Sequence, residues 1–293
     1  MTSHLRTLLW AIALICAPLS QSVAAAPYQS SSDKGDPQLF VTAFAKNDAP
    51  AILQPTGLSV LVDKTAVQVE AVRSAKDDPL LFAILVDISR SDATAAHSIK
   101  EAAFQLFQGL ANTQNQGYLV LFNQVAAVSR TPLSTSQAKE VLESARFGGG
   151  TAVYDAIEKT CKQTLSRSEN PTIGRRAILL ISDGEDNLSH VTREQAEEAA
   201  LEEGVAIFSV VTSGPPAGQA GERVLKKISQ STGGFSTNKD LNKAVPVALA
   251  AVGAQWAVTL APPQSPDNKL HSIQIKTEQK DIRIYAPTAV SLE

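Results

Sequence analysis

Hydrophobic positions in this chain form two kinds of run, and the two kinds occupy different parts of it. Strongly apolar runs occur at Pro79–Val86, Arg176–Ser182 and Val205–Val211. Each has the length of one strand and no polar face, which predicts strands covered on both sides in a parallel sheet. Between them the spacing of Ile99, Ala102, Ala103, Leu106, Phe107 and Leu110 is helical. A further strand is expected at Gly117–Phe122, with a short partner at Ala126–Ser129. Ser134-Thr135-Ser136-Gln137 opens a helix with a hydroxyl cap, and another helix follows Gly148-Gly149-Gly150 through Ala152, Ile157 and Leu165. Glu194, Glu197, Glu198, Glu202 and Glu203 mark the solvated face of an acidic helix, and later helices are expected over Glu222–Gln230 and Asp240–Val252. Strands and helices that alternate in this way predict a doubly wound, mainly parallel α/β sheet.

The second kind of run alternates apolar and polar residues. It occurs at Leu39–Phe44, Leu58–Val62 and Val67–Val72, and again at Trp256–Leu260, Ser272–Lys276 and Ile282–Tyr285. Asn47-Asp48-Ala49-Pro50 and Asp63-Lys64 are turn signals between the early runs. Neither group buries much core alone, so the N- and C-terminal strands are expected to combine into one small β sheet flanking the α/β core. The expected organisation is a β segment over residues 39–77, the α/β domain over 78–254 and a C-terminal β segment over 255–293.

The N-terminus changes the picture of where the protein works. Arg6 precedes the apolar stretch Leu8–Ile15, and the small residues Ser22-Val23-Ala24-Ala25-Ala26 follow. This is the pattern of a secretory signal peptide over residues 1–25, followed by a flexible polar leader over 26–38. Bulky Ile15 before Cys16 does not suit a lipoprotein signal. No second apolar run is long enough to span a bilayer, so the expectation is an exported protein, periplasmic or secreted, with no stable membrane span after cleavage. The other cysteine, Cys161, is expected as a buried helix thiol, and two cysteines build no disulfide framework. A net charge of −3 lacks the basic footprint of a nucleic-acid binder.

Candidate chemistry gathers where apolar strands end. The first strand runs into Asp87-Ile88-Ser89-Arg90-Ser91, the glycine run into Thr151, and the second strand into Asp183-Gly184. In open α/β sheets ligands bind at the carboxyl ends of strands. Alternation along an extended loop would turn Asp87, Ser89 and Ser91 to one side and Ile88 and Arg90 to the other. Hydroxyls and carboxylates without His or Cys suit a hard cation: Mg2+ first, with Mn2+ or Ca2+ as alternatives.

The set Asp87-x-Ser89-x-Ser91, Thr151 and Asp183-Gly184 resembles the metal-ion-dependent adhesion site of von Willebrand factor type A domains, over residues 78 to about 250. The wider layout resembles the secreted von Willebrand factor A-related proteins of Acidobacteria, with Thr232-Gly233-Gly234 before the last helix and a β tail. The resemblance implies that Ser89, Ser91 and Thr151 bind the metal through hydroxyls, and that Asp87 and Asp183 act directly or through waters. It also implies a protein or matrix partner that supplies a carboxylate. Two positions depart from the family pattern: Arg90 stands where a small residue is usual, and Asp92 where an apolar one is usual. Arg90 is expected to weaken metal binding by repulsion or to help hold an acidic ligand, and Asp92 to offset the repulsion partly.

The same residues admit other readings. Asp87 and the serines could cap the next helix. The glycine run lacks the Gly-Lys-Ser/Thr ending of a phosphate loop. Glu185, Asp186 and Asn187 read as a solvated loop more readily than as a second cation site. His97 and His190 lie just beyond the two aspartate loops, but no Gly-x-Ser-x-Gly elbow surrounds Ser89 or Ser91, so the chain is read as a binding module and not an enzyme. An envelope assembly protein, in which the β segments bind and the metal site is vestigial, is the alternative.

Overall fold

The computed structural model describes residues 38–46, 49–212, 219–261, 267 and 269–292. The expected signal peptide, and the leader up to residue 37, lie outside the described residues. Residues 36–293 form one compact unit.

The early alternating runs form β1 (Gln38–Ala45), β2 (Leu58–Val62), β3 (Thr65–Val67) and β4 (Val69–Ser74). The α/β region follows with β5 (Leu80–Asp87), a short 3-10 turn at Ser91–Ala95, α1 (Ala96–Leu110), β6 (Gln116–Phe122) and β7 (Ala126–Val128). It continues through α2 (Thr135–Ser144), α3 (Val153–Gln163), β8 (Arg175–Ser182), α4 (Arg193–Glu202) and β9 (Val205–Val211). Next come α5 (Gln219–Ser231), β10 (Ser236–Thr237) and α6 (Leu241–Gly253). The chain closes with β11 (Gln255–Leu260), β12 (Leu270–Thr277), β13 (Ile282–Tyr285) and β14 (Ala289–Ser291).

The central sheet has six strands in the order β10-β9-β8-β5-β6-β7, parallel except for β7. Period-two alternation splits β5 between two cores. Phe82, Ile84 and Val86 pack with Ile99 and Leu106 of α1 and Ala248 of α6, while Leu81, Ala83 and Leu85 pack with Ile157 of α3, Ala196 of α4 and Leu225 of α5. Helices cover both faces, which is why the strand sequence shows no polar alternation. The capping expected at Ser134 is present: its hydroxyl accepts from the Gln137 amide while the Gln137 side chain accepts from the Ser134 amide.

The flanking strands depart from expectation in number of sheets. They form two four-stranded sheets, β13-β1-β11-β4 and β14-β12-β2-β3, facing each other across Val41, Val60, Val258, Ile273 and Val290. The expected single strand at Val67–Val72 is divided at Gln68 between β3 and β4, which belong to different sheets, and β14 was not foreseen. An alternating strand has only one apolar face, and two such faces bury each other most completely as a sandwich.

The sandwich sits at the amino edge of the central sheet. The Ala43 amide donates to Ala254 O at 3.1 Å. Phe44 packs on Phe235 with ring centroids 4.9 Å apart. Arg175, the first residue of β8, reaches Gln255 of β11 and Val252 O of α6. The opposite, carboxyl edge is left to the loops.

Candidate metal centre

β5 and β8 pair in parallel from Leu80 with Arg175 to Val86 with Ile181, so they end at the same level. Asp87 closes β5 and Asp183 follows β8. The Asp87 carboxylate is wholly buried: Oδ1 accepts from the Ser89 amide at 2.9 Å and Oδ2 from Ser182 Oγ at 2.7 Å. Ser89 is buried as well, and its Oγ lies 3.0 Å from Ser91 Oγ. The pair of hydroxyls expected on one side of this loop is therefore present.

The glycine loop is tied to both aspartate loops. The Gly148 amide donates to Ile88 O at 2.7 Å, and the Arg90 amide donates to Gly149 O at 3.2 Å. Gly149 takes φ +85°, a left-handed conformation that glycine adopts at least cost. Thr151 is buried; its amide donates to Asn187 Oδ1, and its carbonyl accepts from the Asn187 and Leu188 amides, all at 3.0 Å. Beyond Asp183 the chain turns through Gly184 at φ +78°, where a Cβ would meet the backbone of Gly221. All five expected residues thus lie on three loops that are hydrogen-bonded into one unit.

The structure adds a sixth residue. Carboxylate oxygens of Asp87, Asp92 and Asp183, all buried, lie within 4.8 Å of one another. Asp92 Oδ1 accepts from Thr212 Oγ1 at 2.7 Å, and Oδ2 has no hydrogen-bond partner. Burial, together with the charges of Asp87 and Asp183, pushes the Asp92 carboxyl up to about 7 against the opposing Thr212 bond. Burial also raises Asp87, opposed by its bonds from Ser89 and Ser182. Among the described residues no cationic side chain forms an ion pair with these aspartates.

The expected balance between Arg90 and Asp92 is corrected in part. Arg90 is exposed, whereas Asp92 turns inward beside Asp87 and Asp183. The reason is local. Extended backbone ends before Arg90, which already has helical φ −66° and ψ −33°, and the 3-10 turn that follows over Ser91–Ala95 buries Asp92. A helix-start signal directly after Asp87-x-Ser89-x-Ser91 could have revealed it.

The neighbouring acidic loop is occupied differently. Asp186 Oδ2 accepts from the Tyr154 amide at 3.2 Å and from Ser189 Oγ at 2.5 Å, and Oδ1 accepts from the Ser189 amide at 3.2 Å. It therefore serves the start of α3, and Glu185 is exposed. His190 bonds Asp155, with Nδ1 2.9 Å from Oδ2, and His97 is exposed on α1. Ser89 Oγ has Ser91 Oγ as its hydroxyl neighbour, not a histidine. Val125 and Leu188, two of the most exposed large apolar side chains, flank the glycine loop: Leu188 borders Gly150, and Val125 follows the Asn123 and Gln124 that border Gly149. Cys161 is a buried free thiol on α3, raised by burial, as expected for a structural cysteine.

Donors of this kind, hydroxyl and carboxylate only, with one buried oxygen lacking a donor, fit a hard divalent cation. Asp87, Ser89, Ser91, Thr151 and Asp183 are the residues that would hold it, with Asp92 alongside. Its chemistry there would be to accept an oxygen ligand from outside.

No family model and no curated protein matches this chain. Among solved structures it is similar to a von Willebrand factor type A protein from Catenulispora acidiphila, with TM-score 0.51 and 15% identity, over 91% of this chain and 65% of that one. It is also similar to proximal thread matrix protein 1 from the mussel byssus, with TM-score 0.50 and 16% identity, over 66% of this chain and 50% of that one. Another structure of the mussel protein, with TM-score 0.48 and 16% identity over 62% of this chain and 48% of that one, has a zinc-occupied MIDAS motif. The chain spans less than two thirds of the length of either relative. The fold of this chain is of the von Willebrand factor type A kind.

Proposed function

We propose that this chain, built on a von Willebrand factor type A fold, is an exported, non-enzymatic binding module that holds a divalent cation and takes a carboxylate from a protein or matrix partner. The observation that carries the reading is the cluster of buried carboxylates of Asp87, Asp92 and Asp183 at the carboxyl edge, with no cationic partner among the described residues. Buried charges are ordinarily paired or coordinate metals. The five residues Asp87, Ser89, Ser91, Thr151 and Asp183 supply two carboxylates, which balance a divalent charge, and three neutral hydroxyls, which leave a cation such as Mg2+ electrophilic toward an acidic ligand.

The surroundings support a macromolecular ligand. Exposed Val125 and Leu188 offer apolar contact beside the loops, and exposed Arg90 offers a cation to the same acidic group. Export rests on the N-terminal charged and apolar pattern. A binding role, as against hydrolysis, is supported by the placement of His190 on Asp155 and of Ser89 Oγ on Ser91 Oγ.

Thermal unfolding with and without divalent salt tests the site. At about 100 times the dissociation constant, a bound cation stabilises by roughly 2.7 kcal/mol. Asp87→Ala combined with Asp183→Ala is expected to abolish the shift; a shift that survives in the double variant refutes the assignment. A pull-down from envelope extract with and without chelator tests the partner. Capture that ignores chelator would move the binding role to the sandwich.

A further inference from the structure

We infer that Asp92 is a direct ligand of the cation, a sixth oxygen donor from this chain that turns the site toward Ca2+ and away from Mg2+; the inference rests on the reading of these loops as a cation site. Asp92 is 4% exposed, and its Oδ2 has no donor. Oδ1 is fixed by Thr212 Oγ1 at 2.7 Å. That bond orients the carboxylate and leaves the other oxygen for whatever Asp87 and Asp183 also face. An unsatisfied buried carboxylate oxygen is costly, so its retention calls for a positive partner. The nearest positive side chain in sequence, Arg90, is exposed.

The donor count sets the preference. Mg2+ holds oxygens at about 2.1 Å, keeps several waters and is usually bound by one or two carboxylates. Ca2+ takes about six to eight oxygens at about 2.3–2.6 Å and accepts dense protein cages. Three carboxylates gathered at one point exceed the one or two that Mg2+ usually takes and suit the denser oxygen cages of Ca2+. With the hydroxyls of Ser89, Ser91 and Thr151 from the proposed set, Asp92 would bring the chain's own oxygen donors to the lower end of the Ca2+ coordination number. Three carboxylates also outweigh a divalent charge, so the partner's acid meets a less electrophilic cation than a two-carboxylate site would present.

The test is calorimetric titration of the chelator-stripped full chain with CaCl2 and with MgCl2, for the unaltered protein, Asp92→Asn, Asp92→Ser and Asp183→Asn. The expected result is Ca2+ binding at least about tenfold tighter than Mg2+, with Asp92→Asn removing most of that preference by weakening Ca2+. The metal-free Asp92→Asn protein should melt no lower than the unaltered one, because its amide can donate to Asp87 or Asp183; a purely structural Asp92 would instead lower the melting temperature. A Ca2+/Mg2+ ratio unchanged in both Asp92 variants, while Asp183→Asn loses both metals, overturns the inference and leaves the cation site standing. Failure of the unaltered chain to bind either metal overturns both.

Discussion

β8 carries buried charge at both ends, and the two ends treat it in opposite ways. At its start Arg175 Nε donates to Gln255 Oε1 at 2.7 Å and Nη2 donates to Val252 O. The next residue, Arg176, donates from Nε to Leu165 O at 2.9 Å and from Nη2 to Asn170 O at 2.7 Å. Burial pushes Arg175 down to about 10, opposed by Asp78 and Asp77, which leaves it charged at neutral pH. Past the other end of β8, Asp183 joins Asp87 and Asp92, and an oxygen of the trio has no partner. Roughly 23 Å separates the two ends at strand spacing. A buried charge whose hydrogen bonds all come from within the fold holds the fold together. One left unsatisfied marks a place completed from outside.

The largest expected effect lies at the amino end. Arg175→Met would strip donors from Gln255 and from the Val252 carbonyl, each worth about 1–3 kcal/mol when left unsatisfied. Urea unfolding should show a loss of at least about 3 kcal/mol, indifferent to divalent salt. A loss below about 1 kcal/mol would break the contrast between the two ends. A smaller effect is expected at the rim. Arg90→Ala should tighten cation binding by no more than on the order of threefold, since an exposed guanidinium is screened by solvent and salt; a tenfold gain by calorimetry would show that Arg90 faces the cation after all.

The smallest effect belongs to a third charged group, on the sandwich. His271 Nδ1 lies 2.7 Å from Asp63 Oδ2 and Nε2 2.8 Å from Asp267 Oδ1. The bonds with Asp63 and Asp267 hold the imidazole above its usual range, and those with His271 hold both carboxyls below theirs. The histidine's share of stability is present below its unfolded value and lost as pH rises through the raised folded one. The aspartates' share is present above their unfolded values and lost as pH falls through the lowered ones. The trio should therefore contribute most between about pH 4 and 6.5. His271→Gln is expected to flatten that part of the stability profile, and an NMR titration midpoint for His271 at or below the ordinary imidazole value would contradict the pairing.

Much of the fold could be read because burial writes itself into composition. The runs at β5, β8 and β9 are apolar along most of their length since helices lie on both faces, and their ends fall within a residue of expectation. Asp87 and Asp183 were found because each interrupts such a run at the edge where ligands bind. The sandwich was harder: a strand covered on one face says that a partner exists, not whether it lies in the same sheet or across from it. Asp92 could be placed in sequence but not in space, because extended alternation gives way to helical backbone at Arg90, inside the motif. Arg175 as an internal anchor was not legible, since its acceptors are Gln255 and the Val252 carbonyl, some eighty residues away.

The position of β1 has a mechanical consequence. It is paired on one side with β11 from Gln38 to Thr42 and on the other with β13 from Thr42 to Ala45. Tension between Gln38 and a partner gripped beyond Asp87 enters at one pole of the unit and leaves at the other. It would pass through these two ladders and the interface around Phe44 on its way to the loops that grip. A pull applied through Gln38 and these loops would load the two ladders and the loops in series, so the weakest of them sets the force at which the unit opens.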